Sequence, residues 1–201
     1  MRKYDAVFFD LDGTLSESGE GILWCVRRTI EDLKIVVPEN FRLESFIGPP
    51  LADSFYRLGL DDEKVKFGVK TYKSYYDTKG KYMNKAYDGI KELLERLREK
   101  GYKLGVATSK YELFARQIID NIGLLQYFDF VSGATANAER QKKIDVLNYG
   151  IKNLGATPEN SALIGDTKFD AEGARLCGCG FVGVLYGYGT VSYTHLRAHE
   201  T

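Results

Sequence analysis

At 201 residues, 44% hydrophobic and 28% charged, the chain has an ordinary globular composition and can bury a sizeable core as one domain with a modest insertion. Lysine plus arginine equals aspartate plus glutamate at 28 each, so no long-range field favours a nucleic acid or an anionic membrane, and binding must come from a local site. Apolar runs such as 6–9 and 162–165 are far too short to span a bilayer and no secretory signal opens the chain, which predicts a cytoplasmic protein with no membrane partner.

Short β-branched or aromatic runs alternate with longer segments of helical period, the pattern of a parallel sheet with crossover helices. In chain order, the first strand is expected over 5–9. Residues 16–85 then read as an inserted helical cap without a strand, with helical stretches at 21–35, 51–58 and 62–79 and a rigid Gly48-Pro49-Pro50 turn before the second. Beyond it, Ile90, Leu93, Leu94 and Leu97 make an apolar helical stripe that stops at Gly101. Ile144, Leu147, Ile151 and Leu154 make another that stops at Gly155. Four further buried strands are expected over 103–107, 130–132, 162–164 and 181–184. The fold class is therefore α/β, a Rossmann-like parallel sheet with flanking helices, built from 1–15 and 86–190 around the cap at 16–85.

The last stretch, 191–201, reads like the translated frame of a sequencing adapter and is set aside as a non-native tail. On that reading the native chain is cut short after Thr190, with a strand and helix missing. Both histidines, His195 and His199, fall inside it, which leaves carboxylates, hydroxyls and lysines as the catalytic groups and argues against histidine-based nucleophilic or metal chemistry. Cys25, Cys177 and Cys179 are too few and too isolated for a zinc site and read as reduced structural thiols.

The first strand runs directly into Asp10-Leu11-Asp12-Gly13-Thr14-Leu15, placing two carboxylates at the carboxyl end of a buried strand, the edge where open α/β sheets bind ligands. Carboxylates so close repel by a few kcal/mol at an effective dielectric of about 20, so the pair calls for a cation or a proton, and Mg2+ suits such hard oxygen donors. Gly13 permits close backbone approach to an anion, and Thr14 offers a hydroxyl and an N–H to phosphate oxygens. An isolated Asp-Gly-Thr is usually only a turn, and Asp166 followed by Thr167 could merely cap a helix beginning near Phe169.

Asp10-x-Asp12-Gly13-Thr14-Leu15 resembles the first signature of the haloacid dehalogenase superfamily, and the remaining signatures follow in order over residues 4–190. Thr108, with Ser109 and Lys110 beside it, matches the hydroxyl residue that holds the transferring phosphoryl group. Lys143 matches the superfamily lysine, with adjacent Lys142 as the alternative. Gly165-Asp166 followed by Asp170 matches the acidic signature that completes the metal site.

The resemblance implies Asp10 as nucleophile and Asp12 as general acid and base, with Asp12 also offering a backbone carbonyl to Mg2+. It implies Asp166 as a metal ligand and Asp170 as a water-mediated ligand or an orienter of Lys143. Asp12 is the residue that dehalogenases lack, which favours phosphoryl chemistry. The cap and Phe46-Ile47-Gly48-Pro49-Pro50-Leu51 are similar to phosphoglycolate phosphatase-like members, a group that includes nucleotidases, although 134–139 departs from their pattern. The implied activity is Mg2+-dependent hydrolysis of a small phosphorylated metabolite by a monomer or homodimer, with Gly13, Thr14, Ser109 and Lys110 binding the substrate. A phosphosugar mutase and a truncated, non-catalytic phosphate-binding protein are the alternatives.

Overall fold

The computed structural model describes residues 3–136 and 139–189; the tail and both histidines lie outside the described residues. The chain divides into two compact units, one running to Glu17 and resuming at Ala86, the other Ser18–Lys85.

The first unit is a five-stranded parallel sheet. Its strands are β1 (Ala6–Phe9), β4 (Lys103–Tyr111), β5 (Phe130–Ala134), β6 (Ser161–Gly165) and β7 (Gly180–Gly183), in the order β5-β4-β1-β6-β7. Two-residue strands β2 (Ser16–Glu17) and β3 (Lys85–Ala86) form a second sheet. They are too short for an apolar rhythm, which is why 16–85 reads as strandless. The central strand β1 is Ala-Val-Phe-Phe and wholly buried, as a strand covered on both faces must be. Phe9 is in register with Val106 on one side and Ile164 on the other, so the residues that follow these three strands emerge at one edge.

Helices α4 (Ile90–Glu99), α5 (Glu112–Asn121), α6 (Lys143–Asn153) and α7 (Lys168–Cys177) make the crossovers. Phe8, Val146, Leu147, Leu163 and Ala174 join in one buried cluster between sheet and helices. Packing there is close enough that a Cβ on Gly105 would lie 2.4 Å from the Phe8 ring, and one on Gly150 would lie 2.8 Å from it. Glycine at both positions lets β4 and α6 close on the same phenylalanine.

Strand β4 runs four residues past its expected end, through Thr108, Ser109 and Lys110. A register irregularity between Ala107 and Tyr111 restores its pairing to β5 at Ala134.

The second unit holds α1 (Gly19–Leu33), α2 (Leu51–Arg57) and α3 (Asp62–Thr78), each within two residues of its expected limits. The Asp61 side chain accepts from the Lys64 N–H and so caps α3. Around the Gly-Pro-Pro turn, Phe46 and Phe55 meet edge to face at 5.1 Å. No helix among the described residues is long and apolar enough to cross a membrane.

Candidate active site

Asp10 is the first residue after β1, and its N–H donates to the Ile164 carbonyl, which carries the strand's direction to the sheet edge. The turn behind it closes as the Leu15 and Ser16 N–H groups donate to the Leu11 carbonyl and the Gly13 N–H to that of Ser16. Gly13 takes φ +85°, and a Cβ there would stand 2.3 Å from Asp166 Oδ2. Only glycine allows the Asp166 carboxylate to approach this turn.

Lys143, the first residue of α6, decides the geometry of the centre. Its buried Nζ donates to Asp10 Oδ1 at 2.7 Å and to the Ala107 carbonyl at 2.9 Å, and lies 2.7 Å from Asp170 Oδ1. Lys142 precedes the helix and is exposed. Of the two lysines left open by sequence, Lys143 is the one that reaches Asp10.

Asp166 follows β6 and is almost wholly buried. Its Oδ1 accepts from the Thr14 hydroxyl at 3.1 Å, and its Oδ2 accepts from the N–H groups of Tyr188 at 2.8 Å and Gly189 at 3.2 Å. Asp170 sits on the first turn of α7 in a capping box with Thr167: Asp170 Oδ2 accepts from the Thr167 N–H at 2.9 Å and from its hydroxyl at 2.6 Å. The helix cap foreseen after Asp166 is supplied by Thr167, and Asp170 of the acidic signature completes it.

Carboxylate oxygens of Asp10, Asp166 and Asp170 lie within 4.8 Å of one another. Burial pushes the Asp10 carboxyl up to about 7, opposed by the Lys143 cation and reinforced by Asp170 and Asp166. Burial, with Asp170 next, also raises Asp166 against the lowering effect of its hydrogen bonds. Burial alone would lower Lys143, but the Asp10 and Asp170 carboxylates outweigh it and hold the ammonium charged. Asp10 and Asp170 pair with the one buried cation and Asp166 lies beside them, leaving a negative, all-oxygen donor set of the kind Mg2+ prefers.

Asp12 stands apart from that set. Its Oδ2 pairs with Lys110 Nζ at 2.9 Å, while its buried Oδ1 has no hydrogen-bond partner among the described residues. Thr108 is buried on β4, and its hydroxyl accepts from the Lys110 N–H at 3.2 Å; Ser109 is exposed. Thr14 directs its hydroxyl to Asp166 and its N–H to Leu11, so both groups read as phosphate donors are engaged within the protein.

Sequence reasoning missed the segment after β7. Tyr186 donates its hydroxyl to the Thr14 carbonyl, and a Cβ on Gly187 would lie 2.4 Å from Asp166 Oδ2. The repeated Tyr-Gly of 186–189 was the available signal. The Glu112–Arg140 pair was missed as well. Arg140 Nη2 donates to Glu112 Oε2 at 2.6 Å and Arg140 Nε to the Gly133 carbonyl at 2.8 Å, bracing the segment between β5 and α6.

The family model for haloacid dehalogenase-like hydrolases matches residues 7–184. The chain belongs to this family. Its relatives include a 5'-nucleotidase of Pseudomonas aeruginosa, 37% identical over 199 residues, 98% of this chain and 89% of that protein. The tyrosine-protein kinase PtkA of Mycobacterium tuberculosis is 36% identical over 187 residues, 93% of this chain; the chain spans 64% of that relative's length. Among solved structures, a haloacid dehalogenase-like hydrolase of Streptococcus pneumoniae superposes with a TM-score of 0.88 at 33% identity, covering 96% of this chain and 90% of the other.

Proposed function

We propose that this chain is a Mg2+-dependent phosphoric monoester hydrolase acting on a small phosphorylated metabolite. The observation that carries the reading is Lys143, buried and bonded to Asp10 while paired with Asp170, with Asp166 beside them at the edge of the sheet. That arrangement prepares a carboxylate to attack an electron-poor centre bearing negative charge.

Asp10 would form a bond to phosphorus as the ester P–O bond breaks, and Asp12 would donate a proton to the departing oxygen. Water would then attack the aspartyl-phosphate, give a proton back to Asp12 and release inorganic phosphate, restoring Asp10. Asp12 suits both transfers because one of its oxygens is held by Lys110 while the other is unengaged. Thr108 would hold the phosphoryl group, and Lys143 would offset charge on Asp10 and phosphate. Asp10, Asp166 and the Asp12 backbone carbonyl would hold Mg2+, with Asp170 acting through Lys143. When bound, the ion supplies positive charge that offsets repulsion between carboxylate and phosphate oxygens.

The relative named 5'-nucleotidase, together with the sequence resemblance to phosphoglycolate phosphatases, supports a nucleotide-like or phosphoglycolate-like substrate. The PtkA relative favours a second reading, phosphoryl transfer to a protein tyrosine.

The expected result is hydrolysis of a generic aryl phosphate only with Mg2+ present and its abolition in Asp10→Asn; turnover unchanged in that variant would eliminate the mechanism. A panel of phosphoglycolate, nucleoside monophosphates and sugar phosphates then identifies the ester. Labelled phosphate appearing on tyrosine rather than in solution would select the second reading.

A further inference from the structure

Strand β7 ends at Gly183, and the Val184 N–H donates to the Gly165 carbonyl at 2.9 Å, which carries the chain beyond β7 to the end of β6, next to Asp166. The stretch 185–189 has no regular secondary structure, and burial of apolar side chains accounts for little of its placement: Leu185 is 76% and Tyr186 49% exposed. Its fixed points are polar. The Tyr186 hydroxyl donates to the Thr14 carbonyl at 2.9 Å, with its ring centred 4.7 Å from that of Tyr87, and the Tyr188 and Gly189 N–H groups donate to Asp166 Oδ2 at 2.8 and 3.2 Å. Thr14 in turn donates its own hydroxyl to Asp166 Oδ1. One residue thus holds both the tyrosine, through its carbonyl, and the aspartate, through its hydroxyl.

Glycine backbone closes the space around Asp166 on two sides. A Cβ on Gly13 would lie 2.3 Å from Asp166 Oδ2, and one on Gly187 would lie 2.4 Å from the same oxygen and 2.4 Å from the Gly13 carbonyl oxygen. Hydrogen bonds from N–H groups to an ionised carboxylate are among the strong ones, and here they act where neighbouring backbone already fills the space, so the Asp166 carboxylate has little latitude to turn or withdraw.

Taking Asp166 as a metal ligand, as in the function proposed above, we infer that residues 186–189 position its carboxylate for a small divalent cation, with Tyr186 as their anchor, and thereby make the site discriminate Mg2+ from Ca2+. Mg2+ demands near-ideal octahedral geometry at about 2.0–2.1 Å, whereas Ca2+ accepts about six to eight oxygens at about 2.3–2.6 Å in flexible arrangements. A carboxylate that cannot shift suits the first ion and resists the second. Residues that orient a metal ligand are commonly worth about 10- to 100-fold in affinity. Tyr186 is a positioning residue that acts through Thr14 and the Tyr188–Gly189 backbone, which places it at the low end of that range.

The test is calorimetric titration of the full chain with Mg2+ and with Ca2+, without substrate, alongside melting of the ion-free protein. Tyr186→Phe, which removes only the hydroxyl oxygen, is expected to weaken Mg2+ binding about 10-fold and Ca2+ binding less, so that the ratio of the two affinities narrows. Gly187→Ala drives a methyl toward the Asp166 carboxylate and is expected to weaken Mg2+ further; Tyr186→Phe decides alone should that variant not fold. Unchanged Mg2+ affinity in Tyr186→Phe, or an equal loss for both ions of the kind a general loosening would give, overturns the positioning role. Asp166→Asn separates this failure from failure of the metal site itself. Loss of Mg2+ binding in Asp166→Asn with none in Tyr186→Phe removes only the role of 186–189, whereas a wild-type chain that binds no Mg2+, or an Asp166→Asn chain that binds it equally well, overturns the metal site and the positioning role together.

Discussion

Asp10 and Asp12 are two residues apart in sequence, yet each meets its own lysine. The Asp10 carboxylate bonds to buried Lys143, and Asp12 pairs with Lys110 while retaining one unpartnered oxygen. On the proposed mechanism such a division suits a nucleophile, which attacks as the carboxylate, and a proton carrier, which must exchange a proton. Lys110, read from sequence as a substrate ligand, is paired with Asp12, and on the proposed mechanism it would position that carboxylate. These roles predict different kinetics for Lys110→Met. Loss of a positioning residue lowers kcat for an alkyl phosphate about 10- to 100-fold, toward the low end of what a placed general acid contributes. Nitrophenyl phosphate, whose leaving group needs little protonation, is affected less, and KM changes little for either ester. Equal rises in KM for both substrates would instead assign Lys110 to phosphate binding.

Among elements, α7 carries the most interdependent roles. Its first turn is capped by Thr167 and Asp170, and the same Asp170 pairs with Lys143. Thr167→Ala removes one side of the capping box and is expected to cost about 1 kcal/mol, lowering Tm by roughly 2–4 °C for a chain of this size. Activity is expected to fall further than this stability loss accounts for, because Asp170 is left free to turn away from Lys143. Thr167→Ser restores both, as measured by thermal denaturation and by kcat. Equal loss in the serine variant would show that the threonine methyl, not the hydroxyl, holds the turn. The start of the helix was foreseen near Phe169, one residue from where it begins after its Thr167 cap. The extension of β4 through Thr108 to Tyr111 was not. Its polar residues lack the apolar signature of a buried strand, and the pairing that recruits them comes from β5 across a register irregularity.

Across the whole molecule, the site was readable where side-chain identity and strand order coincide. Asp10 and Asp166 each follow directly on a strand, Thr108 lies in β4 just past the level where β1 ends, and Lys143 opens the helix after another, so a parallel sheet gathers them at one edge. What escaped reading is carried by the backbone or by pairs distant in sequence. The Tyr188 and Gly189 donors to Asp166 are N–H groups that any residue but proline could supply, and the Glu112–Arg140 bond joins residues on either side of β5. The same bookkeeping of charge leads to a whole-molecule test. Carboxylate oxygens of Asp10, Asp166 and Asp170 lie within 4.8 Å of one another and Lys143 pairs with only two of the three, so the folded unit bears an electrostatic penalty that a divalent cation would relieve and that the unfolded chain does not share. Mg2+ at about 100 times its Kd is expected to stabilise the protein by roughly 2.7 kcal/mol. For a chain of this size the corresponding rise in Tm is roughly 5–10 °C. Sodium chloride at matched ionic strength lacks the coordinating charge and is expected to give little of this rise, and Asp166→Asn to lose most of it. An equal response to sodium, or an undiminished Mg2+ response in the variant, would place the ion elsewhere and leave the carboxylate cluster as a purely structural arrangement.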